Sequence, residues 1–264
     1  MVTFGSGDYQ YAPVEGFFKR PRGWTFVEAA DVAVDEEDNV YVLNRGAYAA
    51  VMIFDKDGLY LDGWGKIGGR PEAGIDFLIP HGISLGPDGS IYTSDTGDHT
   101  VRRWTKEGKL LLTIGTPMNS APEQSGKPFN RPTHLTVASN GDFYASDGYG
   151  NSRIHVFTGS GDYKFSWGES GIDAGQFMRP HNIAIDSDDK VYVVDREAHR
   201  IQIFDARGNF LTMWNNIHRP DAMVLWDDHI YVGELNGSGP PGGAPGLGHR
   251  VTIYDLEGKR VSLF

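Results

Sequence analysis

The chain has 264 residues, a formal net charge of −11 at neutral pH and no cysteine. The negative charge argues against a nucleic-acid or anionic-membrane surface, because either partner would need a basic face. No apolar run approaches the roughly 18 residues of a membrane span, and the start of the chain lacks the basic and apolar regions of a signal peptide. We therefore expect a cytoplasmic protein without nucleic-acid or membrane partners, and the missing cysteines fit a reducing compartment.

One sequence pattern of about 40 to 50 residues occurs five times along the chain. Each copy has an apolar strand, an Asp/Asn/Gly turn, a second strand of the form "Y-V-x-D", a polar turn and a third strand ending in "F/W-D-x-x-G". A fourth strand often ends in Trp-Gly. Four short strands in a unit of this length are typical of a β-propeller blade. The pattern therefore predicts an all-β propeller with five complete repeats.

The domain prediction is one propeller over residues 1–264. Its repeats cover approximately 27–65, 78–115, 130–168, 178–215 and 218–264. Residues 1–26 precede the first repeat and could add one strand that closes the ring, although they are too few to supply four strands. Residues 236–249, "NGSGPPGGAPGLGH", are rich in Gly and Pro and predict a mobile surface loop within the fifth repeat.

Two histidines occupy the same position of alternating repeats, after the proline that begins the first strand. The residues at this position are Ala30, His81, Thr133, His181 and Asp221. The first strand of a propeller blade lines the central channel, so His81 and His181 are candidate ligands of one divalent metal ion. The alternative is that both are turn residues hydrogen-bonded to the backbone.

A second set of equivalent residues ends the second strand of each repeat: Asn44, Asp95, Asp147, Asp195 and Glu234. Their regularity predicts a structural role, in which the side chain accepts backbone N–H groups of the following turn. Arg45, Tyr149 and Arg196 lie directly after this set and are not required by the repeat. Nearby cations favour the phenolate form of a tyrosine, which can act as a base. These three residues are therefore candidate catalytic groups.

The segments "DGYGNSRIHVF" and "DREAHRIQIF", together with "PHG" and "PHN", resemble the peptidyl-α-hydroxyglycine α-amidating lyase family of NHL-repeat propellers. The resemblance implies an NHL-type β-propeller, and we prefer a six-bladed design of which this chain shows five repeats. It implies a zinc ion held by three histidines, two of them His81 and His181. It also implies a catalytic Tyr149, assisting arginines at Arg45 and Arg196, and a structural calcium ion.

The reaction implied by the resemblance is cleavage of a carbinolamide, N–CH(OH), into an amide and an aldehyde such as glyoxylate. The substrate would be a small molecule or derive from a peptide. The family's third zinc histidine has no counterpart after His181, because "RPDAM" places Asp221 there. Two alternatives stay open: a calcium-dependent hydrolase or lactonase on a similar propeller, and a non-catalytic NHL scaffold that binds proteins.

Overall fold

The structure is a computed structural model that describes residues 2–68, 76–236 and 248–264. In these ranges the chain forms five antiparallel four-stranded sheets and one two-stranded hairpin. None of the helices in the same ranges is long and apolar enough to cross a membrane. Most of the Gly/Pro-rich segment predicted to be a mobile loop, residues 237–247, lies outside the described residues.

Each sheet is built from four consecutive strands, as the repeat predicts. The hairpin has β1 (Phe4–Ser6) and β2 (Tyr9–Tyr11). The first sheet has β3 (Ala29–Val34), β4 (Val40–Asn44), β5 (Val51–Phe54) and β6 (Tyr60–Trp64), and the second has β7 (Pro80–Leu85), β8 (Ile91–Asp95), β9 (Thr100–Trp104) and β10 (Leu110–Ile114). The third sheet has β11 (His134–Val137), β12 (Phe143–Asp147), β13 (Arg153–Phe157) and β14 (Tyr163–Trp167), and the fourth has β15 (Pro180–Ile185), β16 (Val191–Asp195), β17 (Arg200–Phe204) and β18 (Phe210–Trp214). The fifth sheet has β19 (Pro220–Trp226), β20 (His229–Glu234), β21 (Arg250–Asp255) and β22 (Arg260–Leu263). The all-β architecture and the five repeats are confirmed.

The chain divides into two compact units, Gly16–Ser166 and Met1–Glu15 with Trp167–Phe264. In the first unit, apolar side chains of β4 and β5 pack against β7, β8 and β9, with Trp104 fully buried. A second apolar cluster in this unit joins β8 and β9 to β11, β12 and β13. In the other unit, Tyr192 and Ile201 pack against Ile230 and Tyr254. Neighbouring sheets thus bury their apolar faces against each other, which is how propeller blades stack. The single domain over 1–264 stays a prediction.

The residues before the first repeat cover sheet faces and add no strand to a four-stranded sheet. In the first unit, Phe18, Trp24 and Phe26 pack against the buried cluster that contains Met52 and Phe54. These aromatic rings bury apolar area that would otherwise face water, and such burial is worth about 25 cal/mol per Å².

In the other unit, the β1–β2 hairpin contacts the fifth sheet. The backbone N–H of Ser6 donates to the Ser262 hydroxyl at 3.1 Å, and the Tyr9 hydroxyl lies 2.5 Å from Nε2 of His229. The two hairpin strands pair with each other and with none of the described strands of the five sheets. The closing role of residues 1–26 stays a prediction. The preference for six blades is wrong for the described chain, which has five, because two three-residue strands cannot form a sixth sheet.

The buried residues that end the second strands fix how each sheet begins. Each side chain accepts a backbone N–H from the segment that enters the first strand of the same sheet. The acceptor and donor pairs are Asn44 with Val27, Asp95 with Leu78 and Ile79, Asp147 with Asn130, Asp195 with Met178 and Arg179, and Glu234 with His218. The predicted structural role fits these contacts. The donors, however, mainly precede the first strand. Among the described residues of this set, only Asp95 also accepts backbone N–H groups from the turn that follows it, at Gly97 and Asp98.

Glycine at the end of the turn after the third strand, "TKEG" in the second repeat and "DLEG" in the fifth, allows a tryptophan of the preceding sheet to approach the backbone. Gly108 has φ +80°, and a Cβ placed there would lie 2.5 Å from the Trp64 ring. The indole N–H of Trp64 donates to the Lys106 carbonyl at 3.0 Å, which holds the ring in place. Gly258 and Trp214 repeat this contact in the other unit.

We expect Gly108→Ala to lower the free energy of unfolding by about 2–5 kcal/mol. About 1–2 kcal/mol comes from the left-handed backbone, and about 1–3 kcal/mol comes from overpacking against Trp64. Gly141→Ala is the matched control, since Gly141 has φ +85° and nothing within 4 Å of an added Cβ. Urea unfolding of both variants measures the difference. Equal losses of stability would show that the indole contact contributes nothing.

Candidate active site: two histidine-centred groups

The first group is centred on His81, the second residue of β7. Its Nδ1 atom lies 2.8 Å from the carbonyl oxygen of Thr133, and its Nε2 atom lies 3.0 Å from the hydroxyl of Tyr149. A carbonyl oxygen can only accept, so the Nδ1 atom of His81 carries the ring proton. Nε2 of the neutral ring then has a lone pair, and the Tyr149 hydroxyl donates to it.

The environment of His81 keeps this imidazole neutral. Burial lowers the pKa of His81 to about 4, and the positive charge of Arg45 lowers it as well. The hydrogen bond to Thr133 and the negative charge of Asp31 act in the opposite direction, but burial outweighs them. The imidazole is therefore uncharged at neutral pH, as its role as an acceptor requires.

Tyr149 is held by the turn that follows β12. The carboxylate of Asp147 accepts the backbone N–H of Asn130 at 2.9 and 3.0 Å and the side-chain amide of Asn151 at 2.6 Å. Gly150 faces the Asn130 side chain so closely that a Cβ would lie 2.3 Å from its Cγ. The turn is thus fixed on both sides of the half-buried Tyr149, which directs the phenol toward His81.

Arg45 lies next to this pair, directly after β4. Its Nε donates to the carbonyl oxygen of Pro80 at 2.9 Å, and its guanidinium forms an ion pair with Glu28 at 2.8 Å. Three of the predicted site residues, His81, Tyr149 and Arg45, are therefore brought together in the unit Gly16–Ser166.

Two features of this group were not predicted from the sequence. Arg131 donates to the Tyr149 carbonyl at 2.9 Å, and its guanidinium carbon lies 6.0 Å from the centre of the Tyr149 ring. His134 and Asp31 form a pair at 3.1 Å, in which Asp31 also accepts the backbone N–H of Ile83 at 2.8 Å. The sequence does contain one indication of Arg131, because an arginine precedes the proline of the first strand in three repeats.

The second group lies in the unit Met1–Glu15 with Trp167–Phe264. Nδ1 of His181 lies 2.8 Å from the carbonyl oxygen of Asp221, the same contact that His81 makes with the equivalent residue of its following repeat. Arg196 begins a single 3₁₀ turn and donates to the Asp221 carboxylate at 3.1 Å and to Glu197 at 3.1 Å. His181 and Arg196, both predicted, are thus joined through Asp221.

The two imidazoles make the same backbone contact. An Nδ1–H held by a backbone carbonyl fixes the tautomer in which Nε2 is the ligand atom, as in many metal-binding histidines. The described residues contain no group of three or more His, Cys, Asp or Glu side chains that could hold a metal ion. Each imidazole therefore fits zinc singly, but a three-ligand site is not present in these ranges. The shared zinc ion of His81 and His181, which lie in different units, stays a prediction.

Comparisons with known proteins agree with the repeat. The NHL repeat model matches residues 77–104, 129–157 and 177–204. NHL repeat-containing protein 3 of Homo sapiens is 31% identical over 222 residues, which cover 78% of this chain and 61% of that protein. Peptidyl-alpha-hydroxyglycine alpha-amidating lyase 1 of Drosophila melanogaster is 32% identical over 153 residues, or 53% of this chain and 28% of that protein.

The chain contains NHL repeats, and its all-β fold is of the propeller type that these repeats form. A solved structure shares the fold of this NHL-repeat protein: virginiamycin B lyase from Staphylococcus aureus matches with a TM-score of 0.58 and 16% identity, over 88% of this chain and 83% of that one. The NHL-repeat chain spans about three fifths of the human relative and less than a third of the Drosophila lyase.

Proposed function

We propose that this chain is a carbon–nitrogen lyase that cleaves an α-hydroxyglycine-like carbinolamide into an amide and an aldehyde such as glyoxylate. The hydrogen bond between the Tyr149 hydroxyl and Nε2 of His81 is the observation that supports this proposal most. It joins a phenol to a neutral imidazole in a chain similar to an amidating lyase. The substrate is a small molecule or derives from a peptide. The cytoplasmic location and the lack of nucleic-acid and membrane partners stay predictions.

The reaction moves one proton from oxygen to nitrogen. In R–CO–NH–CH(OH)–COO⁻ the hydroxyl loses its proton, and its oxygen becomes the carbonyl oxygen of the aldehyde. The electron pair of the C–N bond goes to nitrogen, which takes up a proton to give R–CO–NH₂. No oxidant, reductant or water is consumed, so the protein has only to move the proton and stabilise charge.

Tyr149 and His81 together can move this proton. As the Tyr149 oxygen takes the substrate proton, the phenol proton passes along the hydrogen bond to Nε2 of His81. An imidazolium in a site where burial holds the pKa of His81 at about 4 is a strong enough acid to return its proton quickly. The leaving nitrogen receives this proton through Tyr149. The Thr133 carbonyl stabilises the imidazolium by accepting from Nδ1 throughout.

Arg45 and Arg196 have positioning roles in this proposal. Arg45 fixes the Pro80 carbonyl, directly before His81, and its positive charge opposes permanent protonation of the imidazole. Arg196 orients the carboxylate of Asp221, whose carbonyl accepts from His181. The arginines would thereby help to position the two histidines, whose tautomer is set by the carbonyl oxygens of Thr133 and Asp221.

Zinc is part of the proposal, with His81 and His181 as ligands. Bound zinc would supply Lewis-acid chemistry that lowers the pKa of a substrate hydroxyl. Nε2 of His81 has one lone pair, so it cannot serve a metal and accept from Tyr149 at the same time. The zinc ion and the proton relay through His81 are therefore alternative forms of the proposal. With zinc bound, Tyr149 alone would take the hydroxyl proton and return it to the leaving nitrogen. The structural calcium implied by the resemblance is a further proposal, for which no ligand set is identified.

Removing the phenol oxygen should abolish most of the activity. We expect Tyr149→Phe to lower kcat for N-benzoyl-α-hydroxyglycine by about 10²–10⁴-fold, the usual contribution of a positioned acid–base group. Tyr163→Phe is the control, because Tyr163 is an exposed tyrosine on β14 whose hydroxyl donates to Ser166 in the same strand. Release of glyoxylate measures the rate. An unchanged rate in Tyr149→Phe would exclude Tyr149 as the base, and no glyoxylate from the wild type would favour the non-catalytic scaffold.

Metal content tests the zinc ligands separately. We expect the purified chain to retain about one zinc ion. His81→Ala and His181→Ala should each lose most of it, because removing either of the two proposed ligands lowers the zinc affinity steeply. Elemental analysis after dialysis measures the ratio of zinc to protein. The control is His229→Ala, because His229 contacts Tyr9 of the β1–β2 hairpin and is not a predicted ligand. Zinc that is still bound in the double variant His81→Ala/His181→Ala would show that the zinc site lies elsewhere.

A further inference from the structure

Arg131 lies against Tyr149 on the part of the tyrosine that His81 does not contact. One guanidinium N–H donates to the Tyr149 carbonyl oxygen at 2.9 Å, and the guanidinium carbon lies 6.0 Å from the ring centre. His81 meets the same ring edge-on, with ring centres 5.3 Å apart. A positive charge thus lies 6.0 Å from the centre of the phenol ring that the proposed reaction uses.

The charge of Arg131 is less compensated than that of the other site arginines. Arg45 forms an ion pair with Glu28 at 2.8 Å, and Arg196 forms one with Asp221 at 3.1 Å. Among the described residues, the nearest carboxylate to the Arg131 guanidinium is that of Glu123, at 4.0 Å and highly exposed. Such an exposed pair contributes little, so Arg131 can offer its charge to an anionic ligand.

The backbone holds Arg131 in place before any ligand arrives. Arg131 has φ +60°, a left-handed conformation that costs a non-glycine residue about 1 kcal/mol or more. Its backbone N–H donates to Nδ1 of His99 at 3.2 Å, and the neighbouring Asn130 is anchored on Asp147. The equivalent Arg219 has φ +42°, and its N–H donates to Nδ1 of His199 at 3.2 Å, so the repeat itself fixes the backbone at this position.

We propose that Arg131 binds the carboxylate of the substrate and thereby selects carbinolamides that carry a free acid. This inference rests on the proposed lyase function. In an α-hydroxyglycine the hydroxyl and the carboxylate are attached to the same carbon, so a base and a carboxylate-binding cation must lie side by side. The Arg131 guanidinium carbon lies 6.0 Å from the centre of the Tyr149 ring, a spacing that one α-hydroxyglycine could bridge. The planar guanidinium matches a carboxylate with two parallel hydrogen bonds, which an ammonium group cannot make.

Binding of unreactive ligands tests the inference without turnover. Hippurate carries the acyl amide and the carboxylate but lacks the hydroxyl, and hippuramide replaces the carboxylate by a neutral amide. By calorimetry we expect the wild type to bind hippurate at least 10-fold more tightly than hippuramide. Arg131→Gln should weaken hippurate binding by about 10–100-fold, the usual range for a charge-assisted contact, and leave hippuramide unchanged.

Two further variants show whether a loss of hippurate affinity comes from the Arg131 contact itself, from the change in net charge or from misfolding. Arg207→Ala removes an exposed positive charge in the turn after β17 and should bind hippurate like the wild type. Arg131→Lys keeps the positive charge but cannot make two parallel hydrogen bonds to a carboxylate, so its affinity for hippurate should be intermediate. Equal hippurate affinity in the wild type and Arg131→Gln, or equal affinity of the wild type for hippurate and hippuramide, would overturn the inference.

Kinetics distinguish failure of this inference from failure of the proposed function. We expect Arg131→Gln to raise KM for N-benzoyl-α-hydroxyglycine about 10-fold or more, with a smaller change in kcat. Turnover with unchanged KM would leave the lyase intact and remove Arg131 as the carboxylate-binding residue. Arg131-dependent hippurate binding without any turnover would remove the lyase and keep the carboxylate site.

Discussion

The hydrogen bond from Nδ1 of His81 to the Thr133 carbonyl is the interaction on which the account of the site depends. Because the carbonyl can only accept, this bond decides where the ring proton lies, and burial keeps a second proton away from Nε2. The lone pair of Nε2 is thereby available, either for the phenol proton of Tyr149 or for a metal ion. The chemistry proposed for the chain follows from this one tautomer.

The scaffold around the histidine is made by the repeat and not by the function. Each second strand ends in a buried acceptor that anchors the entry to its own sheet, as Asp95 does for Leu78 and Ile79. These anchors occur in repeats with and without a histidine at the first-strand position. They fix the position of the backbone where the first strand begins. A histidine at this point of the sequence therefore has a fixed backbone beneath its side chain. Function therefore needs few residues beyond the common pattern.

Much of the architecture could be predicted because it is periodic. The five repeats, the strand order and the proximity of Arg45 to His81 follow from comparing equivalent positions. The role of the first 26 residues could not be predicted, because aromatic cover by Phe18 or Phe26 has no period and resembles an ordinary apolar segment. The Arg131 contact was hidden for a related reason. An arginine before proline recurs in three repeats, and only tertiary packing shows that this copy meets Tyr149.

The most direct test is the ¹⁵N NMR spectrum of histidine-labelled protein at pH 7 with chelator, using His81→Gln to assign the ring of His81. We expect a neutral imidazole with its proton on Nδ1, and this form should persist down to about pH 4. In Tyr149→Phe only the Nε2 resonance should shift, because that atom loses its donor. A ring protonated on Nε2, or an imidazolium at pH 7, would contradict the account.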